Sequence, residues 1–212
     1  MMDIKYSFKA GATPVARQAP SLRRSEIFPT VIWQAHLASL SGAFARWVSQ
    51  TDALRAQDPQ PAGRTNRGGW NSRDQAVLDM PAFAPLREAI VDLALVALLE
   101  TLGSLPGFKL QSWINIHDRG GFNFLHVHEG SLLCGCFYLQ VPEGSGPLVF
   151  RDPRPGVIHA GIRGNGANAY KDIRLAPSDG LLVLFPSWLE HYVEPHEGDR
   201  PRIAIPFNLL TA

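Results

Sequence analysis

From Leu110 to the C-terminus the apolar residues of this chain recur with a period of two, in runs separated by Gly, Pro and Asp clusters. Successive side chains of a strand point to opposite faces, so this alternation predicts short strands, each half-buried. The runs are QSWINIH, FNFLHVH, LLCGCFYLQV, PLVF, DGLLVLF, HYVE and RIAIPFNLL. Pro206 interrupts the last one. Because proline cannot donate to a ladder, that run is expected to be an edge or bulged strand.

Upstream the period is helical. Leu37, Leu40, Phe44, Trp47, Val48 and Leu54 fall on one face of a predicted helix that stops at DPQPAG. A second helix is predicted to open at Pro85, to carry Leu86, Ile90, Leu93, Ala97 and Thr101 on one face, and to close at Gly103 and Pro106. Ile27 to Trp33 reads as a short strand. Between the helices, Gly68 to Ser72 (GGWNS) reads equally as a lid over a site or as a turn that needs glycine. Residues 1–25 show no apolar periodicity and are expected to form a flexible N-terminal arm, leaving 26–212 as one domain. Helices followed by many short strands predict an α+β chain whose sheet closes as a barrel or jelly roll, buttressed by helices on one face.

Composition narrows the picture. At 212 residues, 45% apolar and 18% charged, the chain is suited to one sizeable core and too apolar for disorder. A net charge of +1 gives no electrostatic case for nucleic acid or a membrane surface. No apolar run approaches the roughly 18–20 residues of a membrane span, and the first residues lack a signal-peptide pattern, so a cytoplasmic location is expected. Cys134 and Cys136 point the same way from one strand, poor geometry for a disulfide, and read as two small buried residues.

The candidate chemistry lies in FNFLHVHE. Strand alternation puts Phe124, His126 and His128 on one face, so two imidazoles stand side by side. A later strand begins at His191 and can bring a third. Three protein ligands with the other positions open form a facial triad, the arrangement a metal needs to bind substrate and dioxygen. Carboxylate is the more usual third ligand, so Glu129 competes with His128; spacing favours His128, because i+2 keeps the face and i+3 reverses it. His117, His159 and His196 have no paired neighbour and read as ordinary, and Trp188 reads as core.

Several motifs together resemble a known family. The succession W-x-N (Trp113 to Asn115), H-x-H-x-x-S (His126 to Ser131), G-x-x-Y-L (Gly135 to Leu139), F-R-D-P-R (Phe150 to Arg154), L-F-P-S-W-L-x-H (Leu184 to His191) and R-I-x-I-x-F-N (Arg202 to Asn208) is similar to the 2-oxoglutarate-Fe(II) oxygenases. The resemblance implies a cupin-like double-stranded β-helix with the N-terminal helices packed on one sheet. It implies His126, His128 and His191 as Fe(II) ligands and Arg202 as the residue gripping the distal carboxylate of 2-oxoglutarate, with Arg200 as a rival. Asn115 and Tyr138 are candidates to line the co-substrate site.

The implied reaction couples oxidative decarboxylation of 2-oxoglutarate by dioxygen to hydroxylation of an unactivated C–H bond in a small-molecule or amino-acid/peptide substrate. Two other classes compete: a cupin-like metal enzyme that works without 2-oxoglutarate, and a non-catalytic jelly roll whose metal is closed off by a fourth ligand such as Glu129 or His117. An Arg202 facing the metal separates the first reading from these. A homodimer is compatible with the pattern, which specifies no oligomeric state.

Overall fold

The structure, a computed structural model, describes residues 25–161, 169 and 171–212. The expected arm falls outside the described residues but for its last one. Residues 25–30 contain no helix or strand, and Val31–Ala212 form a compact unit of their own. Its described strands are β1 (Trp33–His36), β2 (Asn66–Asn71), β3 (Phe108–Ser112), β4 (Asn115–His126), β5 (Ser131–Gln140), β6 (Leu148–Phe150), β7 (Ile173–Leu175), β8 (Leu181–Pro186), β9 (His191–Val193) and β10 (Arg202–Thr211). Its α-helices are α1 (Phe44–Gln57), α2 (Ala84–Leu102) and the short α3 (Pro155–His159).

Every strand pairing is antiparallel, in the order β1-β8-β5-β10-β4-β9-β6-β7, with β2 added to β4 and β3 to β10. This is the curled sheet expected of a double-stranded β-helix. What shapes it is a division of labour between two faces. In β10, Ile203, Ile205, Phe207 and Leu209 belong to one core cluster, shared with Trp47 of α1 and Leu86, Ile90, Ala94 and Leu98 of α2. The alternate residues Arg202, Ala204, Pro206 and Asn208 face a cavity inside the curl. β5 divides the same way: Leu133, Phe137 and Leu139 turn to the helices, and Cys134, Cys136 and Tyr138 turn inward. Burial of each large apolar side chain at the helix–sheet layer contributes about 1.5–3 kcal/mol, so this layer is the rigid wall behind the site.

The helix faces follow from spacing. Leu86, Ile90, Ala94, Ala97 and Leu98 form the buried stripe of α2. Gly103 ends that helix in the left-handed region (φ 68°), its N–H donating to the Leu99 carbonyl at 2.9 Å. No helix among the described residues is long and apolar enough to cross a membrane.

Four local expectations are corrected. The first strand runs Trp33–His36, paired to Leu184–Leu181 of β8; Pro29 cannot serve a ladder in the stretch expected. Leu37 flanks and Leu40 lies in a 3-10 segment, Ala38–Ala43, that precedes α1. QSWINIH breaks at Trp113 and Ile114, and its second half continues through Gly120 and Gly121 into FNFLH as one long strand. Pro206 sits in the interior strand β10, against Cys136 of β5, and the register irregularities of β10 fall elsewhere. Its carbonyl accepts from Trp113 N at 3.1 Å, so its nitrogen faces the same break between β3 and β4, where no ladder position needs a donor.

Candidate metal centre

β4 and β9 are paired so that His126 stands opposite His191. His128 lies just past the end of β4, held by its backbone N–H on the Ser187 carbonyl at 3.0 Å. The three rings come together, with centroids 4.3 Å apart for His126 and His191, 5.1 Å for His126 and His128, and 5.2 Å for His128 and His191. Their ligand nitrogens all lie within 4.8 Å of one another. Glu129 is exposed and outside this group.

Each ring is locked in one tautomer. His126 Nδ1 bonds the Phe124 carbonyl at 2.6 Å, His191 Nδ1 the Leu189 carbonyl at 2.8 Å, and His128 Nδ1 the Asn208 side-chain oxygen at 2.6 Å. All three partners only accept, so Nδ1 carries the proton and Nε2 keeps its lone pair. Burial, aided by the neighbouring rings, pushes His191 down to about 3 and His128 to about 4, and burial lowers His126 as well. Near neutral pH the cluster is therefore three neutral imidazoles with free Nε2 atoms, the form that binds a metal.

Alternation along β4 breaks before the cluster. A register irregularity between Asn123 and His126 leaves Phe124 and Leu125 exposed, and it is Asn123, not Phe124, that shares the cavity with His126. Phe124 packs against Phe122 and under Arg67 instead. Trp188, expected in the core, is 55% exposed.

The cavity these residues open into has a volume of about 240 Å³. At one end stands Arg202, 2% exposed, its NH1 donating to His117 Nδ1 at 2.9 Å and its guanidinium 5.1 Å from the Tyr138 ring centre. Arg200 is exposed and bonds Gln140. Four buried polar atoms facing this cavity have no partner: Asn115 Oδ1, Asn123 Oδ1, Tyr138 Oη and Arg202 Nε. Burial also holds the Tyr138 hydroxyl and the Cys136 thiol in their protonated forms, the thiol pushed up to about 12. Unmet hydrogen-bonding groups cost about 1–3 kcal/mol each, and two of these, Arg202 Nε and Tyr138 Oη, can donate to a small polar anion.

Two residues that sequence reasoning passed over belong to the site. His117, read as ordinary, is the cross-strand partner of Arg202. Burial first, then the positive Arg202 and the nearby His196 ring, push it down to about 3 against a smaller opposing contribution from Asn123; it stays neutral and accepts from the guanidinium. Asn208 links His128 to Gln111 (Nδ2 to Oε1, 3.1 Å), which in turn bonds Gln75. Both pairings join residues far apart in sequence, and only the strand register reveals them. GGWNS is neither lid nor turn: it supplies strand β2, where a Cβ on Gly69 would lie 2.3 Å from the Ile116 carbonyl.

The fold and the histidine cluster together define a double-stranded β-helix with an open triad of side chains that could hold a metal ion. Residues 111–208 match the family profile described as "Putative 2OG-Fe(II) oxygenase", and this segment is similar to the 2-oxoglutarate-Fe(II) oxygenases, oxidoreductases that use Fe(II) and 2-oxoglutarate. Among solved structures, a prolyl-4-hydroxylase from Pseudomonas putida superposes with a TM-score of 0.64 at 16% identity, covering 86% of this chain and 94% of its own. HygX from Streptomyces hygroscopicus, with nickel and 2-oxoglutarate bound, gives 0.59 at 13% identity, covering 86% and 84%. A prolyl hydroxylase from Trichoplax adhaerens, in complex with a hypoxia inducible factor peptide, gives 0.59 at 16% identity, covering 85% and 83%. These likenesses are of fold. No curated relative matches the sequence.

Proposed function

We propose that His126, His128 and His191 hold one Fe(II), that Arg202 takes the distal carboxylate of 2-oxoglutarate, and that the chain hydroxylates a C–H bond of a small-molecule or amino-acid/peptide substrate. The observation that carries this reading is the pairing, in one cavity, of three tautomer-locked imidazoles with a buried guanidinium that has no carboxylate partner among the described residues. A buried charge without a counterion costs several kcal/mol, and an incoming carboxylate offsets that cost through charge-assisted hydrogen bonds. The cupin-like alternative without 2-oxoglutarate leaves Arg202 unexplained.

When bound, Fe(II) supplies the redox chemistry that couples decarboxylation of the co-substrate by dioxygen to substrate oxidation. The chain's own residues do the rest. Leu189, Phe124 and Asn208 fix the three ring tautomers, so no proton has to leave Nε2 for the metal to enter. Arg202, steadied by His117, orients the co-substrate from the opposite end, Tyr138 offers it a hydroxyl donor, and Asn115 can donate to it through its side-chain amide N–H. Phe150 and Phe185 pack edge-on to each other, and Phe185 lies 4.7 Å from the His191 ring, walling that side from water. No nucleophile–base pair is needed, and none lines the cavity among the described residues.

The assignment of ligands is tested by iron stoichiometry after anaerobic reconstitution. Wild type and Glu129→Ala are expected to bind one Fe(II) per chain, and His191→Ala and His128→Ala to lose it. Loss in Glu129→Ala with retention in His128→Ala would reassign the second ligand.

A further inference from the structure

The cavity contains a second arginine that the co-substrate reading does not use. Arg64, in the segment before β2, is half-buried, lines the same cavity, and lies 5.3 Å above the ring of Trp113. Trp113 in turn is stacked on His128, with centroids 5.9 Å apart and planes 20° from parallel. Its neighbour Arg67 is different: it is exposed, covers Phe124 and donates to backbone carbonyls. No carboxylate pairs with Arg64 among the described residues, and burial lowers its pKa from the ordinary arginine value. A guanidinium stacked on an indole keeps its N–H edges free for an oxyanion, because the face is used by the ring.

Arg64 and Arg202 approach the cavity from different ends. Along its inward face β10 places Arg202 first and Asn208 six residues later, about 20 Å of extended chain. His128 is tied to Asn208, and Trp113 donates its backbone N–H to Pro206, so the Trp113–Arg64 stack belongs to the Asn208 end. Gln75 and Gln111 complete that end with neutral polar groups.

The charges of the whole cavity point the same way. Its lining includes two arginines, three neutral histidines and, among the described residues, no Asp or Glu. With a divalent iron the site carries four positive charges, and the 2-oxoglutarate dianion neutralises two of them. A neutral substrate would leave the remaining pair uncompensated in a partly buried space, whereas an anionic one offsets them.

We infer that Arg64, seated on Trp113, is a specificity-determining residue that binds a carboxylate of the substrate, so the substrate class is carboxylic acids. This rests on the oxygenase reading above. The carboxylate is either that of a free small acid or the side chain of an acidic residue in a peptide; the chemistry recognised at Arg64 is the same.

The test is retention of ligands on the Fe(II)- and 2-oxoglutarate-loaded protein under anaerobic conditions, read by mass spectrometry. One arm offers an equimolar mixture of free amino and hydroxy acids with their amides; the other offers end-blocked peptides containing a single Asp or Glu with their Asn or Gln counterparts. The expected result is retention of acids over amides in one arm, lost by roughly tenfold or more in Arg64→Gln and partly kept in Arg64→Lys, with 2-oxoglutarate affinity unchanged in both variants. Retention of no acid, equal retention of acids and amides, or acid retention undiminished in Arg64→Gln overturns the inference. So does a fall in 2-oxoglutarate affinity in Arg64→Gln, which would make Arg64 a co-substrate residue. Failure of wild type to bind 2-oxoglutarate strikes the oxygenase reading instead, and acids are then scored against amides on the iron-loaded protein.

Discussion

The Arg202 guanidinium, almost wholly buried, donates through NH1 to Nδ1 of His117 at 2.9 Å, across the β4–β10 ladder. An arginine cannot accept, so His117 must present its lone pair at Nδ1 and carry its proton on Nε2. The histidine thus acts as a neutral prop that satisfies one guanidinium N–H and leaves the others for a ligand. A carboxylate in its place would have neutralised the charge that the site uses.

With Arg202 proposed as the co-substrate residue, we propose His117 as a positioning residue for it. His117→Leu is expected to weaken 2-oxoglutarate binding by roughly tenfold while iron stoichiometry stays at wild-type level. His117→Asn, which can still present an oxygen, should recover part of the loss. Anaerobic calorimetry on the iron-loaded variants measures both; equal affinity in His117→Leu and wild type would remove the role.

Among the described residues, Asn208 is the only side chain that fixes a ring of the cluster; backbone carbonyls fix the other two. His128 should therefore be the ligand most easily disordered by mutation. Asn208→Leu is expected to lower iron affinity by about 10–100-fold, as loss of a ligand's hydrogen-bond partner typically does. Competition with a chelator of known affinity gives the number, and an unchanged affinity would show that packing against Trp113 alone suffices to hold the ring.

His117 and His191, both buried, and the half-buried His128 also contribute to how the metal-free protein responds to acid. His117 and His191 are pushed down to about 3 and His128 to about 4, whereas in the unfolded chain a histidine takes up its proton near 6.5. Between those values the unfolded state binds more protons than the folded one. Stability is then full above about pH 6.5 and falls as the pH drops, by about 1.4 kcal/mol per pH unit for each group. Denaturant midpoints of the metal-free protein should hold above about pH 6.5 and decline steadily from there to about pH 5; a series flat or rising over that lower range would contradict the neutral assignment.

Local patterning carried much of this molecule. RIAIPFNLL already contains both faces of β10: large apolar residues at 203, 205, 207 and 209 for the helix layer, and Arg202, Ala204, Pro206 and Asn208 for the cavity. The spacing of His126 and His128 and the late position of His191 were equally legible, although His128 lies past the end of β4 and is held there by Ser187 and Asn208, not by the strand ladder. Register was not legible. The pairing of His117 with Arg202 spans 85 residues and that of His128 with Asn208 spans 80, and each depends on which strands become neighbours. The irregularity at Phe124 and Leu125, which turns Asn123 inward, and the seat of Pro206 opposite a gap between strands have the same origin. Arg64 stayed hidden because a lone arginine in a Gly/Asn-rich passage looks like solvated charge until Trp113 is found beneath it.

We propose that one cavity binds Fe(II) at His126, His128 and His191 and 2-oxoglutarate between that metal and Arg202. Anaerobic titration of the Fe(II)-loaded protein with 2-oxoglutarate, followed through the weak visible charge-transfer band of chelated co-substrate, tests it most directly. The expected result is a band that saturates in wild type and needs a markedly higher 2-oxoglutarate concentration in Arg202→Ala. Iron demonstrably bound with no band at any concentration, or equal titration curves for the two proteins, would contradict it.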